Sequence, residues 1–82
     1  MHKREVGIVR WYDEFEGYGY IARKKDEDIY VHYSAIICDE GKCSLDEGDP
    51  VEFTVVEGKD GLQAQDVVLK RPKTTKKYQG NY

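Results

Sequence analysis

Two short runs of alternating side chains constrain this chain more than anything else in it. Gly17-Tyr18-Gly19-Tyr20-Ile21 and Ile29-Tyr30-Val31-His32-Tyr33 stand one charged loop apart. Successive side chains of a strand point to opposite faces. Tyr18 and Tyr20 therefore share a face, as do Tyr30 and His32, while Ile21, Ile29 and Val31 take the other. Pairing the runs through the loop at Lys24 to Asp28 makes a sheet with one aromatic and one aliphatic side. A helical period would scatter both sets.

The rest of the chain supplies further strands. Val6 to Tyr12 predicts the first. If it is regular, Val6, Ile8 and Arg10 face one way and Gly7, Val9 and Trp11 the other. Asp13-Glu14-Phe15-Glu16 predicts a turn into a second strand, Tyr18 to Arg23. Ile29 to Tyr33 is the third, Pro50 to Glu57 the fourth and Leu62 to Lys70 the fifth. Gly58-Lys59-Asp60-Gly61 turns between the last two. Ser34 to Asp49 has no strand pattern; Ser34-Ala35-Ile36-Ile37 predicts one helical turn capped by Ser34. Five short strands and tight turns imply an all-β, closed or partly open barrel over residues 1–70. Val9, Ile21, Ile29, Val31, Val51, Phe53, Val55 and Val67 are its expected core.

Charge is divided unevenly. The whole chain carries a net −3, yet Lys70, Arg71, Lys73, Lys76 and Lys77 give residues 70–82 a net +5 with no acid, which leaves residues 1–69 at −8. The reading is an acidic body with a basic tail at 71–82 that is expected to be mobile and to attract phosphates weakly. No run of about 18 apolar residues exists, and Met1-His2-Lys3-Arg4-Glu5 is not followed by the apolar core of an export signal. A cytoplasmic protein is expected, with no membrane partner. In that compartment Cys38 and Cys43 are expected as reduced loop thiols, although a small disulfide loop is geometrically possible. With His2 and His32 the only histidines, no metal or other cofactor is expected. Acidic residues are scattered in turns and neither cysteine has a histidine nearby in sequence, so neither an enzyme nor a small-molecule substrate is expected.

Four rings on one solvent face need a partner, and nucleobases suit them, because every base has a flat face that stacks on an aromatic ring. Trp11 extends the set from the first strand. Arg10 beside it can meet a phosphate or stack through its guanidinium plane. The expected function is binding of single-stranded nucleic acid by a monomer. The alternative is a protein-interaction module of the same fold, its acidic body meeting a basic partner.

At these residues the sequence resembles the cold-shock domain family, over residues 6–69. Gly7-Ile8-Val9-Arg10-Trp11-Tyr12 resembles the family's opening strand. Gly17-Tyr18-Gly19-Tyr20-Ile21 and Ile29-Tyr30-Val31-His32-Tyr33-Ser34-Ala35-Ile36 resemble its two ribonucleoprotein-type motifs. Leu45-Asp46-Glu47-Gly48 and Val51-Glu52-Phe53 follow in order. The resemblance implies a five-stranded antiparallel barrel of the OB type, sequence-tolerant binding of single-stranded RNA and DNA, and an RNA chaperone or a regulator of transcription or translation. It implies stacking at Trp11, Tyr18, Tyr20, Tyr30, His32 and Tyr33, and contacts to backbone or bases at Arg10 and Asp28. This chain departs from the family in having Tyr where Phe is usual at 12, 18, 20, 30 and 33. Glu16 stands where Lys is usual, Asp13 where Asn is common, and Gly41-Lys42-Cys43 where many members carry an aromatic. The two acids imply weaker or more salt-sensitive binding than in a typical member.

Overall fold

The computed structural model describes residues 4–38, 41 and 43–70. The expectation for a mobile tail at 71–82 lies outside them. Five strands run in chain order: β1 (Arg4–Asp13), β2 (Tyr18–Ala22), β3 (Ile29–His32), β4 (Pro50–Gly58) and β5 (Gly61–Leu69). They close into a barrel in the order β1-β2-β3-β5-β4. Four seams are antiparallel, and the barrel closes through a short parallel contact, Tyr30 opposite Gln63. Strand β1 serves two neighbours. Its Arg4–Ile8 half pairs with β4 and its Ile8–Asp13 half with β2.

Alternation puts the aliphatic side chains inside. Val9, Ile21, Ile29, Val31, Val51, Phe53 and Val67 are almost wholly removed from water, joined by Ala35, Leu45 and Ala64. Burying a large aliphatic or aromatic side chain contributes about 1.5–3 kcal/mol. Val55, expected among the core, packs against it only partly buried.

The expected regularity of β1 fails at one residue. Val9 pairs with Ile21, but Trp11 pairs with Tyr20, so two steps on β1 match one step on β2. Arg10 is the extra residue of a β-bulge, which resets the alternation. Val9 keeps its place in the core, Trp11 turns to the outside, and Tyr12 turns back against the core. A second bulge lies in β5, between the pairs Glu52–Val68 and Thr54–Gln65. There Asp66 adopts a left-handed φ of 51°, and the Arg4 guanidinium donates to its carbonyl at 2.9 Å.

The β3–β4 connection differs from expectation in two ways. Its helical turn is a 3-10 turn, Tyr33–Ala35, capped by His32 rather than Ser34. His32 Nδ1 accepts the Ser34 amide at 3.2 Å, satisfying a donor that an imidazole one position ahead of the turn reaches better than a serine inside it. The second correction concerns the cysteines: Cys38 and Cys43 form a disulfide. The loop is anchored on both sides of them, by the Ile37 amide on Val67 carbonyl oxygen at 2.9 Å and by buried Leu45. Between those anchors the two Cα atoms lie 4.3 Å apart, close enough to bond. The compartment expected from sequence carried no information about that approach. Where the loop ends, Gly48 donates to Val9 carbonyl oxygen at 2.8 Å and Val9 to Asp49 carbonyl oxygen at 2.9 Å, fastening it to β1.

Candidate nucleic-acid interface

Six rings lie in continuous contact on the outside of β1, β2 and β3. Trp11 meets Tyr18 and Tyr20 at centroid distances of 5.4 and 5.6 Å. Tyr30 meets both tyrosines at 5.9 Å and His32 at 6.5 Å. His32 meets Tyr33 at 4.5 Å. The strand register explains the cluster, since Tyr18 is opposite His32 and Tyr20 opposite Tyr30, and the bulge delivers Trp11 opposite Tyr20. Packing of the rings against one another leaves the four strand residues of β2 and β3 half-buried, while Trp11 is 39% and Tyr33 59% exposed.

Two glycines make room for this surface. A Cβ on Gly19 would fall on the Trp11 carbonyl oxygen and within 2.7 Å of Tyr12 Cα, so only glycine lets β1 and β2 approach beneath the rings. Gly17 has a φ of +79°, and a Cβ there would stand 2.6 Å from Tyr33 Cδ2. The Tyr33 ring thus lies over the bare backbone of the β1–β2 turn, while its amide donates to Gly17 carbonyl oxygen at 2.9 Å.

Polar groups border the rings. The bulged Arg10 donates through Nε to Asp28 Oδ2 at 2.6 Å, which brings these two expected site residues together at one edge. His32 Nδ1 accepts from Ser34, which leaves Nε2–H as the remaining donor of the neutral ring. On the far side Tyr20, Tyr30 and His32 share a groove of about 500 Å³ with Asp60, Gln63 and Gln65. These β4–β5 residues form part of the surface and were missed in sequence. They reach it only through the β3–β5 closure, a pairing of distant segments that no local pattern announces.

The acidic turn is partly explained by its backbone. Asp13 Oδ1 accepts the amides of Phe15 and Glu16 at 2.9 and 3.1 Å, and Gly17 donates to Asp13 carbonyl oxygen at 2.8 Å. Asp13 thus orders the turn as an Asx motif, a task its usual replacement Asn could share. Tyr12 lies behind the turn. Burial raises its hydroxyl pKa above the ordinary 10.0, and the Glu14 and Asp13 carboxylates and Tyr33 push the same way.

Residues 5–70 match the family model described as the 'Cold-shock' DNA-binding domain. Over 62 residues the chain is 47% identical to the cold shock-like protein CspC of Bacillus cereus, a span of 76% of this chain and 94% of that protein. It is 48% identical over 62 residues to the cold shock protein CspA of Staphylococcus saprophyticus, spanning 76% and 92%. To the cold shock protein CapB of Pseudomonas syringae it is 39% identical over 67 residues, spanning 82% and 96%. A closed five-stranded barrel of the OB type, a matching model over nearly all its strands and relatives of this identity agree, and the chain belongs to the cold-shock domain family.

Proposed function

We propose that the protein binds single-stranded RNA or DNA by stacking bases on Trp11, Tyr18, Tyr20, Tyr30, His32 and Tyr33. The observation that supports this best is the unbroken contact among the six rings. Each stacked base contributes about 1–3 kcal/mol. Three or four stacks, after the cost of ordering the strand, correspond to roughly micromolar or tighter dissociation constants. Arg10 supplies a phosphate contact at the edge, and Asp28 both holds its guanidinium and offers an acceptor to a base edge. Gln63 and Gln65, on the opposite border, present amides that can donate and accept.

Stacking of this kind favours unpaired strands and is largely indifferent to base identity. A protein that holds unpaired strands without selecting a sequence lowers the stability of RNA hairpins. An RNA chaperone, or a regulator of transcription or translation acting in the cytoplasm, follows from that property. The tyrosine hydroxyls, in place of the family's usual phenylalanines, add hydrogen-bonding groups at the rim of each stack.

Trp11 fluorescence tests this reading. Titration with short single strands of each base at low salt should quench the emission. No quenching and no mobility shift with any of them would sink it. Removal of residues 71–82 should lower affinity at low salt more than at high salt, if the tail assists through phosphate attraction.

A further inference from the structure

Two features lie off the ring surface and complement each other. The first is Phe15, 94% exposed at the tip of the β1–β2 turn. The Asp13 carboxylate fixes the turn's backbone by accepting two of its amides. The ring stands between Glu14 and Glu16, both exposed, with Asp13 at its base. Neither Glu14 nor Glu16 has an ion-pair partner among the described residues. Three carboxylates repel phosphates, so a nucleic-acid strand is a poor occupant for this tip.

The second feature is a groove of about 530 Å³ on the outer side of β1, beside the ends of β2 and β4. Its floor is apolar, formed by Val6, Ile8, Ala22 and Pro50, with Val6 49% and Ile8 47% exposed. Lys24 and Lys70 stand on its rim. Lys70 is paired with Glu52 at 3.7 Å, whereas Lys24 has no ion pair among the described residues. An apolar floor with a free cation at its rim fits an aromatic side chain flanked by carboxylates.

We propose that one copy of this protein inserts Phe15 into the β1–β2–β4 groove of a second copy, with Glu14 or Glu16 meeting Lys24. A chain cannot fill its own groove. Ile8 and Asp13 are five residues apart on one extended strand, roughly 17 Å at the usual rise, and Phe15 lies beyond. The contact joins different surfaces of the two copies, so it is heterologous and leaves the pair with one free tip and one free groove. A single aromatic anchor buries far less than the 1,200 Å² or so of a standard stable interface. Association is therefore weak, and dilute protein is the expected monomer. None of the six rings is in the groove, so the inference is independent of nucleic-acid binding.

Sedimentation velocity on the full, nucleic-acid-free chain tests it, from about 10 μM to about 1 mM, a range that brackets weak association. The sedimentation coefficient should rise with concentration. Phe15→Ala removes the tip and Ile8→Glu spoils the groove, and each should reduce the association constant about tenfold or more, as anchor residues do. Both side chains are on the outside of the barrel, and Val6→Glu provides a second groove variant should Ile8→Glu fail to fold. Mixing the two variants is decisive. The Phe15→Ala copy keeps its groove and the Ile8→Glu copy keeps its tip, so the mixture should form one-to-one pairs that neither forms alone. Wild-type protein that stays monomeric throughout, Phe15→Ala that still associates, or a mixture that stays monomeric would each overturn the proposal.

Discussion

Val9 and Trp11, two positions apart on β1, face opposite sides of the barrel wall: Val9 is 1% exposed in the core and Trp11 39% exposed among the rings. Regular alternation would put them on one side. The Arg10 bulge between them allows both, and also lifts the Arg10 guanidinium to Asp28. One extra residue thus joins the hydrophobic interior, the ring surface and its charged border.

The close approach beneath the rings is the most easily broken part of this arrangement. Gly19→Ala places a Cβ against the backbone of Trp11 and Tyr12, which cannot move without opening the β1–β2 seam. Denaturant unfolding should show a loss at or above the upper end of the roughly 1–3 kcal/mol typical of overpacking. A variant as stable as the parent would mean that the seam is looser than described.

Stacking and stability should separate at Tyr30, the ring in contact with Tyr18, Tyr20 and His32. Tyr30→Ala should weaken oligonucleotide binding by about 1–3 kcal/mol while circular dichroism stays that of the folded barrel. Unchanged affinity would place the stack elsewhere.

Charge at the turn should tune affinity. Glu16→Lys replaces an exposed carboxylate with a cation, and should tighten binding several-fold at low salt. The salt slope should steepen by about 0.7 for one added phosphate contact on a single strand. An unchanged slope would mean that Glu16 is remote from the phosphate path.

Tyr12 gives an alkaline signature. Its hydroxyl pKa is raised in the folded protein, chiefly by burial. It therefore contributes stability that is fully present below the ordinary tyrosine value near 10 and is lost as pH rises from there through the folded value. Tyr12→Phe should lose less stability than the parent between about pH 9 and about pH 11. Equal losses measured by urea midpoints would show that Tyr12 does not contribute to the alkaline decline.

Much of this surface was legible in sequence because it rests on short-range alternation. Tyr18, Tyr20, Tyr30 and His32 needed only a period of two and a short loop to be brought together. Val9, Ile21, Ile29, Val31 and Phe53 were legible as core for the same reason. Trp11 was not placed correctly by periodicity, because a bulge leaves no local mark in β-forming residues; it was put with the rings mainly by the family resemblance. Asp60, Gln63 and Gln65 were invisible because a distant closure, β3 to β5, brings them to the groove. The Cys38–Cys43 bond depended on anchors at Ile37 and Leu45 that fold the loop back on itself, a tertiary effect that compartment reasoning could not see. The His32 cap was missed because serine is the commoner capping residue, while the imidazole one step earlier had the reach.

The central claim is that bases stack on the six contiguous rings. Its most direct test is amide and side-chain chemical-shift mapping of labelled protein titrated with a short single strand, together with intermolecular nuclear Overhauser contacts between bases and rings. The expected result is perturbation concentrated at Trp11, Tyr18, Tyr20, Tyr30, His32 and Tyr33, with base-to-ring contacts at several of them. Shifts confined to the groove around Val6 and Ile8, or no shifts at strand concentrations well above the protein's, would contradict it.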